Sequence, residues 1–365
     1  MRAPDKLFLA KAGRVLRRKA GSLVGRLFPL GETLDAMALR PYELHLELTN
    51  LCNANCVFCP YQFQTRDVQF MADEVFHKAV NDYVAIGGGS VGLTPIVGDA
   101  LIDPKFLDRV RYLRSLPQID RLWLTTNCIL LDKFGIDAVL RSGINALNVS
   151  TAGFDAEMYK RVYRNSSYQR MRRNVLELVE RNSALGSPVS ITIALRPDRP
   201  LDAVLRDPDF QPILAHNPQL DYTWSFTSAG GRITRDALPP SMKLRVVTSR
   251  REPCVNTYNG PMVLPDGTVM GCNCVAAMDA VNDLGIGNIL QASLAEIWSG
   301  HSMLKLRSSF GSGALNSTCT SCDMYRNLEF YRTRDGRQRS ALNQARKQGR
   351  ILKTKAAVAA PFSGG

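Results

Sequence analysis

The 365-residue sequence predicts an α/β protein, a partial (β/α)6 barrel of the TIM type followed by a small cysteine-rich domain. Three observations support this fold class. Short apolar runs alternate with helical patterns six times over residues 41–235, as in a parallel sheet covered by helices. Six units are fewer than the eight of a complete barrel, so the sheet is expected to stay open on one side. Five of the nine cysteines lie within residues 250–330, among short segments and turn residues.

The predicted strands are short and mostly apolar, which is typical of strands in a covered parallel sheet. They are Glu43–Leu48, Ser90–Ile96, Arg121–Thr126, Ala146–Ser150, Val189–Arg196 and Asp221–Thr227. Helical periodicity lies between them, in Ala72–Ile86, Lys105–Ser115, Lys133–Ser142 and Tyr168–Arg181. Ligands of such sheets bind at the carboxyl ends of the strands, so we expect the loop after the first strand to lie at the functional site.

The composition is that of an ordinary globular protein. Apolar residues make up 45% of the chain and charged residues 22%. No apolar run reaches the roughly 18 residues of a membrane span, and no signal-peptide pattern opens the sequence. The nine cysteines are odd in number and clustered, which indicates reduced, metal-binding thiols and not disulfides. We therefore expect a cytoplasmic protein.

Basic residues are concentrated at the two ends of the chain, whose net charge is +13. Residues 1–40 hold nine Lys and Arg against three Asp and Glu, and residues 331–365 hold nine against one. The first segment predicts a basic amphipathic extension that packs on the body, contacts anionic lipid or a protein partner, or serves as a transit peptide. The last segment predicts a weakly ordered basic tail. Residues 41–330 are close to neutral, so no nucleic-acid partner is expected.

The segment LTNLCNANCVFCPY, residues 48–61, places Cys52, Cys56 and Cys59 directly after the first predicted strand. No histidine or acidic residue lies among them. A structural zinc site is closed by four ligands, and a disulfide is not favoured among reduced thiols. Three thiolates can hold a cubane [4Fe–4S] cluster and leave one iron open to a small molecule. Zinc with a distant fourth ligand remains the alternative.

The Cys-x3-Cys-x2-Cys spacing, with Phe58 before the last cysteine, resembles the radical S-adenosylmethionine (SAM) superfamily. The resemblance extends over residues 42–330. It implies that the open iron binds the amino and carboxylate groups of SAM, and that the reduced cluster cleaves SAM to release a 5′-deoxyadenosyl radical. It also implies a reducing partner such as flavodoxin or ferredoxin. The missing fourth ligand is then supplied by the cosubstrate.

Three further segments resemble the SAM-binding elements of that family. In LTPIVGDALIDP, Gly98 and Asp99 match the middle of a Gly-Gly-Glu-Pro segment, which implies a contact with the methionine ammonium; a helix-capping turn is the alternative. Ser150 and Arg196 end the fourth and fifth strands, where the resemblance implies contacts with the SAM ribose and carboxylate. In LTTNCILL, Cys128 stands where the family has glycine, and we expect it to be a buried small residue.

Residues 250–330 carry a second set of thiols. The segment VLPDGTVMGCNC, a Gly-Asn-Ile run and a closing Cys-x2-Cys resemble the SPASM/twitch auxiliary-cluster domain of the superfamily. The resemblance implies one closed auxiliary [4Fe–4S] cluster, of the one-cluster twitch type, on Cys254, Cys272, Cys319 and Cys322. Zinc on the same four thiols is the alternative.

Cys274 lies two residues after a predicted ligand. In an extended strand its side chain would lean to the same side as that of Cys272. Three roles remain open, an alternate ligand, a buried bystander, or a catalytic thiol that returns a hydrogen atom to a substrate radical. The last is the role of a cysteine in carbohydrate epimerases of the superfamily, and it is the preferred interpretation.

The resemblance favours a radical enzyme that abstracts hydrogen from a C–H bond of a small carbohydrate-type molecule, such as a sugar or aminocyclitol in antibiotic biosynthesis. Epimerisation with Cys274 as hydrogen donor is the preferred reaction, and dehydrogenation through the auxiliary cluster is the alternative. A peptide-modifying maturase would usually require a peptide-binding module, for which residues 1–40 are too short. A non-catalytic metalloprotein would leave the three-cysteine loop unexplained.

Overall fold

One large sheet covered by helices dominates the protein. The computed structural model describes residues 37–93, 96–247, 250, 252–274 and 277–327. The predictions for the basic extension, apart from its last four residues, and for the basic tail lie outside the described residues. No helix within these ranges is long and apolar enough to cross a lipid bilayer.

Six parallel strands build the barrel, and five shorter strands follow. The strands are β1 (Glu43–Leu46), β2 (Gly89–Leu93), β3 (Ile119–Thr126), β4 (Ala146–Thr151), β5 (Ser190–Leu195), β6 (Gln219–Tyr222), β7 (Ser225–Phe226), β8 (Lys243–Leu244), β9 (Met262–Val263), β10 (Thr268–Met270) and β11 (Gly285–Asn288). Nine of them form one sheet in the order β11-β10-β9-β1-β2-β3-β4-β5-β6, and β7 pairs with β8. Strands β1 to β6 are parallel neighbours, which confirms the predicted partial barrel.

The helices lie between the parallel strands of the barrel or within the second domain. They are α1 (Asp73–Ala85), α2 (Phe106–Ser115), α3 (Ile136–Leu140), α4 (Ala156–Tyr163), α5 (Tyr168–Ala184), α6 (Leu201–Val204), α7 (Gln211–Leu214), α8 (Asn256–Asn259), α9 (Val281–Leu284), α10 (Leu294–Ser299), α11 (His301–Ser312) and α12 (Ser317–Ser321). Single 3-10 turns occupy Pro60–Phe63, Ala100–Ile102, Leu131–Phe134, Pro208–Phe210 and Arg235–Ala237. The helix α4 was absent from the predicted elements.

Alternation along the parallel strands separates an apolar outer face from a polar inner face. On β1, Leu44 and Leu46 are fully buried in the core beneath the helices. Glu43 and His45 occupy the alternate positions and face the inside of the barrel, where they too are buried. The barrel interior is therefore lined by side chains that can bind a polar molecule.

The second domain continues the barrel sheet. Strand β9 pairs in parallel with β1, with His45 opposite Met262, and β10 and β11 add antiparallel strands beyond it. Gly260 lies against the backbone of Glu43, where a side chain would collide with the carbonyl oxygen. Trp298 of α10 donates its indole N–H to the carbonyl oxygen of Met37 over 3.0 Å. The last residues of the basic extension thus pack on the second domain.

The sixth predicted strand, Asp221–Thr227, is divided between β6 in the large sheet and β7, which pairs with β8. The second strand is shorter than its prediction. It ends at Leu93, whereas the apolar run predicted a strand as far as Ile96. The backbone N–H groups of Ile96 and Val97 are bound by the side chain of Glu47, over 2.9 and 3.4 Å, and not by a neighbouring strand. Ile96 and Val97 are apolar because they are buried. Buried loops and strands share this property, so an apolar run alone does not distinguish them.

Candidate active site

Cys52, Cys56 and Cys59 lie on the loop at the carboxyl end of β1, where the sequence places them. The loop is held from the side by α4, because Asn55 and Val57 donate their N–H groups to carbonyl oxygens at its end, over 3.2 and 2.9 Å. Within the loop, Cys59 N–H donates to the Cys56 carbonyl over 3.0 Å. The fold therefore keeps all three thiols on one tightly bound segment.

Burial raises the pKa of all three thiols. The pKa of Cys52 rises to about 12, first through burial and then through the negative charge of Asp99. Burial, followed by the two neighbouring thiols, raises the pKa of Cys56, and burial raises that of Cys59. Arg196 opposes the change at Cys56 and Cys59. Three mutually close thiols beside a cation fit an iron–sulfur cluster, whose iron ions stabilise the thiolate form.

Gly98 brings the segment after β2 against the cysteine loop. Its φ of +108° lies in the region that favours glycine, and an added Cβ would be 2.5 Å from the carbonyl oxygen of Thr49. The next residue, Asp99, donates its N–H to the Leu51 carbonyl over 2.9 Å. This approach requires glycine and places both matched residues directly beside the thiols.

The Asp99 side chain is almost fully buried and already has protein donors at both oxygens. It accepts hydrogen bonds from Leu101 N–H (3.0 Å), the Thr126 hydroxyl (2.9 Å) and Asn127 N–H (2.8 Å), and it caps the turn Ala100–Ile102. Burial raises its pKa against these hydrogen bonds. The capping alternative is therefore observed, and a contact between Asp99 and the SAM ammonium stays a prediction.

Phe58, Ser150 and Arg196 come together beside the cysteine loop. The Phe58 ring stacks on Phe226 with 4.8 Å between centroids, and the Arg196 guanidinium lies 5.8 Å from the Phe58 centroid. Arg196 donates to the Ser150 hydroxyl over 2.9 Å, and that hydroxyl lies 2.8 Å from the Tyr163 hydroxyl. The fold thus gathers a cation, two hydroxyls and an aromatic face where the resemblance expects SAM. Their contacts with SAM stay predictions.

Five thiols line one cavity in the second domain. Its apolar lining includes Leu284, Phe310 and Tyr325, and its cysteines are Cys254, Cys272, Cys274, Cys319 and Cys322. Burial raises the pKa of Cys254, and burial followed by the neighbouring thiols raises that of Cys319 to about 12. Among the described residues, no three His, Cys, Asp or Glu side chains converge on a single metal ion. The thiols of a four-iron cluster bind different irons and are correspondingly farther apart.

The side chains of Cys274 and Asn273 point in different directions. The Cys274 thiol is in hydrogen-bonding contact with Cys322, and this contact, ahead of burial, raises the pKa of Cys322. The amide of Asn273 lies 2.5 Å from the imidazole Nε2 of His45, on the inner face of the barrel. Cys274 therefore faces the thiol cavity together with Cys272, while the residue between them reaches the barrel interior.

Sequence reasoning missed a polar cluster inside the barrel. The Glu43 carboxylate accepts from the Ser90 hydroxyl over 2.7 Å and from the Trp123 indole N–H, and lies 3.2 Å from His45 Nε2. Burial would raise the pKa of Glu43. The charge of His45, together with hydrogen bonds from His45, Ser90 and Trp123, lowers it to about 2. Strict alternation of polar residues with leucine over residues 43–48 was the available signal.

Glu47 ends the polar face of β1 and fixes the segment beside the cysteine loop. Its carboxylate forms a buried ion pair with Arg66 over 2.7 Å and accepts the two backbone N–H groups that follow β2. Burial raises the pKa of Glu47 to about 7 against the attraction of Arg66. The ion pair therefore supports the loops that carry the thiols.

Two family models match the chain. The radical SAM superfamily model matches residues 46–206, which include β2 to β5 and the cysteine loop. The SPASM model, described as an iron–sulfur cluster-binding domain, matches residues 254–323, which include the thiol cavity. The two matched ranges contain both sets of thiols that the structure brings together.

Relatives and solved structures support the same assignment. The GTP 3′,8-cyclase of Pseudomonas fluorescens is 31% identical over 134 residues, which are 36% of this chain and 39% of the relative. The chain spans between about two fifths and half the length of the curated relatives it matches.

Two solved structures share the fold. SuiB of Streptococcus suis, bound to the precursor peptide SuiA, aligns with a TM-score of 0.55 and 13% identity over 78% of this chain and 70% of SuiB. BtrN in complex with AdoMet and 2-DOIA aligns with a TM-score of 0.50 and 15% identity over 79% of this chain and 94% of BtrN. The predicted cofactors, a SAM-binding [4Fe–4S] cluster and auxiliary iron–sulfur chemistry, are thereby confirmed. The chain therefore contains a radical SAM domain, matched over residues 46–206, followed by an SPASM domain, matched over residues 254–323.

Proposed function

We propose that the chain oxidises a secondary alcohol of a small polyhydroxylated molecule to a ketone. When bound, the first cluster and SAM supply a hydrogen-abstracting radical, and an auxiliary cluster provides a site for the remaining electron. Cys52, Cys56 and Cys59 would hold the first cluster. The auxiliary cluster would be held by four of the five thiols of the cavity, for which we retain Cys254, Cys272, Cys319 and Cys322.

The position of Cys274 is the observation that favours oxidation over epimerisation. A hydrogen-donating thiol has to reach the substrate carbon, whereas Cys274 contacts Cys322 and lines the auxiliary cavity. The side chain that extends from this segment into the barrel belongs to Asn273. These contacts favour the dehydrogenase alternative over the epimerase that the sequence had favoured.

The inner face of the barrel supports a polar, uncharged substrate. Ser90, Thr125, Asn148 and Thr192 occupy alternate positions of β2 to β5, on the face opposite the leucine and valine core. Hydroxyl and amide groups of this kind bind hydroxyls through reciprocal hydrogen bonds. BtrN, which is in complex with AdoMet and 2-DOIA, offers a starting compound for the search.

The proposal also includes a reducing partner and a cellular location. Radical generation needs a one-electron reductant, for which we propose a flavodoxin or ferredoxin. We place the enzyme in the cytoplasm, where the cysteine thiols stay reduced, in the biosynthesis of a natural product such as an antibiotic.

Anaerobic incubation in deuterated water tests the proposal. The cluster-loaded protein would be reduced with dithionite and supplied with SAM and a panel of cyclic polyols and amino-polyols that includes 2-DOIA. We expect one 5′-deoxyadenosine per product molecule and a product two mass units lighter than its substrate, without deuterium at the oxidised carbon. Protein in which Cys52, Cys56 and Cys59 are alanine is the control and should form neither compound.

Other products would replace this proposal in defined ways. An unoxidised, inverted product with one deuterium at the inverted carbon would identify an epimerase with a solvent-exchangeable hydrogen donor. Rapid SAM cleavage with a precursor peptide, and none with the polyols, would identify a peptide-modifying maturase.

A further inference from the structure

The imidazole of His45 has one ring nitrogen without a protein partner. His45 is 4% exposed, and among the described residues its Nδ1 atom has no hydrogen-bond partner. The other nitrogen, Nε2, lies 3.2 Å from the Glu43 carboxylate and 2.5 Å from the Asn273 amide. A buried imidazole nitrogen usually has a partner, so this one indicates a missing ligand.

The contacts at Nε2 decide which nitrogen carries the proton. The Glu43 carboxylate accepts hydrogen bonds from the Ser90 hydroxyl and the Trp123 indole N–H, which stabilise its ionised form. A carboxylate only accepts hydrogen bonds, so its ring neighbour Nε2 has to donate. Once turned over, the Asn273 amide can present its oxygen to the same N–H. In the neutral imidazole, Nδ1 is then left with a lone pair.

A glycine lies beside Nδ1. Gly92 stands opposite His45 on the neighbouring strand, and an added Cβ there would lie 3.1 Å from Nδ1 and 2.8 Å from a ring carbon of Trp123. Both distances are too short for a side chain at residue 92, so glycine keeps Nδ1 free of a contact with a residue 92 side chain. The half-buried Trp123 ring borders this position on the inner face.

We propose that His45 binds the substrate hydroxyl through Nδ1 and accepts its proton during oxidation, with Glu43 and Asn273 as positioning residues. The inference rests on the proposed function. With SAM and both clusters bound, oxidation of a secondary alcohol would move a hydrogen atom from carbon to the SAM-derived radical, a proton from oxygen to Nδ1, and an electron to the auxiliary cluster. The C–O single bond becomes a carbonyl, and the three transfers account for both electrons and both hydrogens.

The tautomer of His45 provides a test that does not depend on turnover. The chain has four histidines, so selective ¹⁵N-histidine labelling of the cluster-loaded protein gives four ring systems, and His45→Gln assigns one of them. We expect the Nε2–H tautomer in the wild type and a shift towards Nδ1–H in Glu43→Gln, where no carboxylate fixes the ring proton. A purely structural role for Glu43 would not change the tautomer. A wild-type Nδ1–H tautomer would overturn the proposal.

Turnover with a polyol that the wild type oxidises provides the second test. In His45→Gln we expect 5′-deoxyadenosine to form while ketone formed per 5′-deoxyadenosine falls at least about 100-fold, the usual contribution of a general base. His301→Gln is the matched control, since His301 is exposed at the start of α11, and should behave as the wild type. Wild-type yields of ketone in His45→Gln would contradict the role of His45 as proton acceptor, but they would not contradict the proposed function. If the wild type oxidises no polyol, the proposed function fails, and the tautomer alone decides the assignment of the lone pair.

Discussion

The two groups of thiols have different surroundings. The first group has three thiols on a loop, with the Arg196 guanidinium near enough to lower the pKa of Cys56 and Cys59 against burial. The second group has five thiols in a cavity whose other walls include Leu284 and Phe310. A three-thiol site beside a cation suits a cluster that also binds a carboxylate-bearing molecule. A five-thiol apolar cavity suits a cluster closed by protein ligands alone.

Removing the first group of thiols should have the largest effect. In the Cys52/Cys56/Cys59 triple alanine variant, we expect the iron content to fall from about eight to about four per chain, because one of two four-iron clusters is lost. SAM cleavage should fall to background. Iron analysis and 5′-deoxyadenosine assays measure both. Cys128→Ala is the matched control, because Cys128 lies outside both groups. Iron loss in this variant would contradict the assignment of the clusters to the two groups.

Removing the second group should separate radical formation from oxidation. In Cys319→Ala/Cys322→Ala we expect about four irons per chain to remain, together with SAM cleavage, while ketone formation is lost. The physical reason is that the first loop is held by α4 and not by the cavity. Equal loss of SAM cleavage in both sets of variants would show that the two sites are not independent.

Gly98→Ala should destabilise the first site by steric collision. The φ of +108° and the approach to the Thr49 carbonyl both oppose a side chain, so we expect a loss of at least about 2 kcal/mol in the free energy of unfolding, with weaker SAM binding. Gly311→Ala provides the control, because nothing lies within 4 Å of its added Cβ. That helix-interior change should stabilise by up to about 1 kcal/mol. Chemical denaturation of both variants measures the difference.

Glu43→Gln should change the pH dependence of stability. The pKa of Glu43 is about 2 in the folded protein against an ordinary value of 4.5, so its stabilising contribution is present above pH 4.5 and is lost as the pH falls towards 2. We expect a loss of about 1–3 kcal/mol in the variant at neutral pH, which disappears in acid. Urea unfolding from pH 7 to 2 measures this. The exposed Glu157→Gln should follow the wild type, and parallel curves for Glu43→Gln would contradict the expectation.

Cys274→Ala should have the smallest effect. If four thiols suffice for the auxiliary cluster and the fifth is a neighbour, iron content, SAM cleavage and ketone formation should stay close to wild type. Loss of the auxiliary cluster's absorbance would make Cys274 a ligand. Intact clusters without product would return it to the role of hydrogen donor.

The sequence predicted the fold and both thiol groups because each depends on a pattern within a short segment of the chain. The Cys-x3-Cys-x2-Cys loop and the closing Cys-x2-Cys are local patterns, and six apolar runs fix the parallel strands. The sequence also predicted that Cys128, which stands where the family has glycine, is a buried small residue. This residue is fully buried and has a φ of +60°, a conformation that glycine adopts without strain.

What could not be predicted depends on contacts between distant segments. Asn273 meets His45 across more than half of the chain, and no local pattern announces that contact. The hydrogen bonds that Asp99 accepts from Thr126 and Asn127 form only because β2 and β3 are neighbours. The short β9 was missed because two residues carry no periodicity.

Because β9 pairs with β1, the second domain covers an edge of the barrel sheet that is unpaired during synthesis. His45 and Glu47 donate their N–H groups to Pro261 and Val263, each over 3.0 Å. Until these residues leave the ribosome, the first strand of the barrel keeps an unpaired edge, which is the kind of surface that recruits other chains. A fragment ending after β6 would keep that edge permanently. The cluster-binding domain is thus also an intramolecular protection against aggregation, and neither half of the molecule should be stable in isolation.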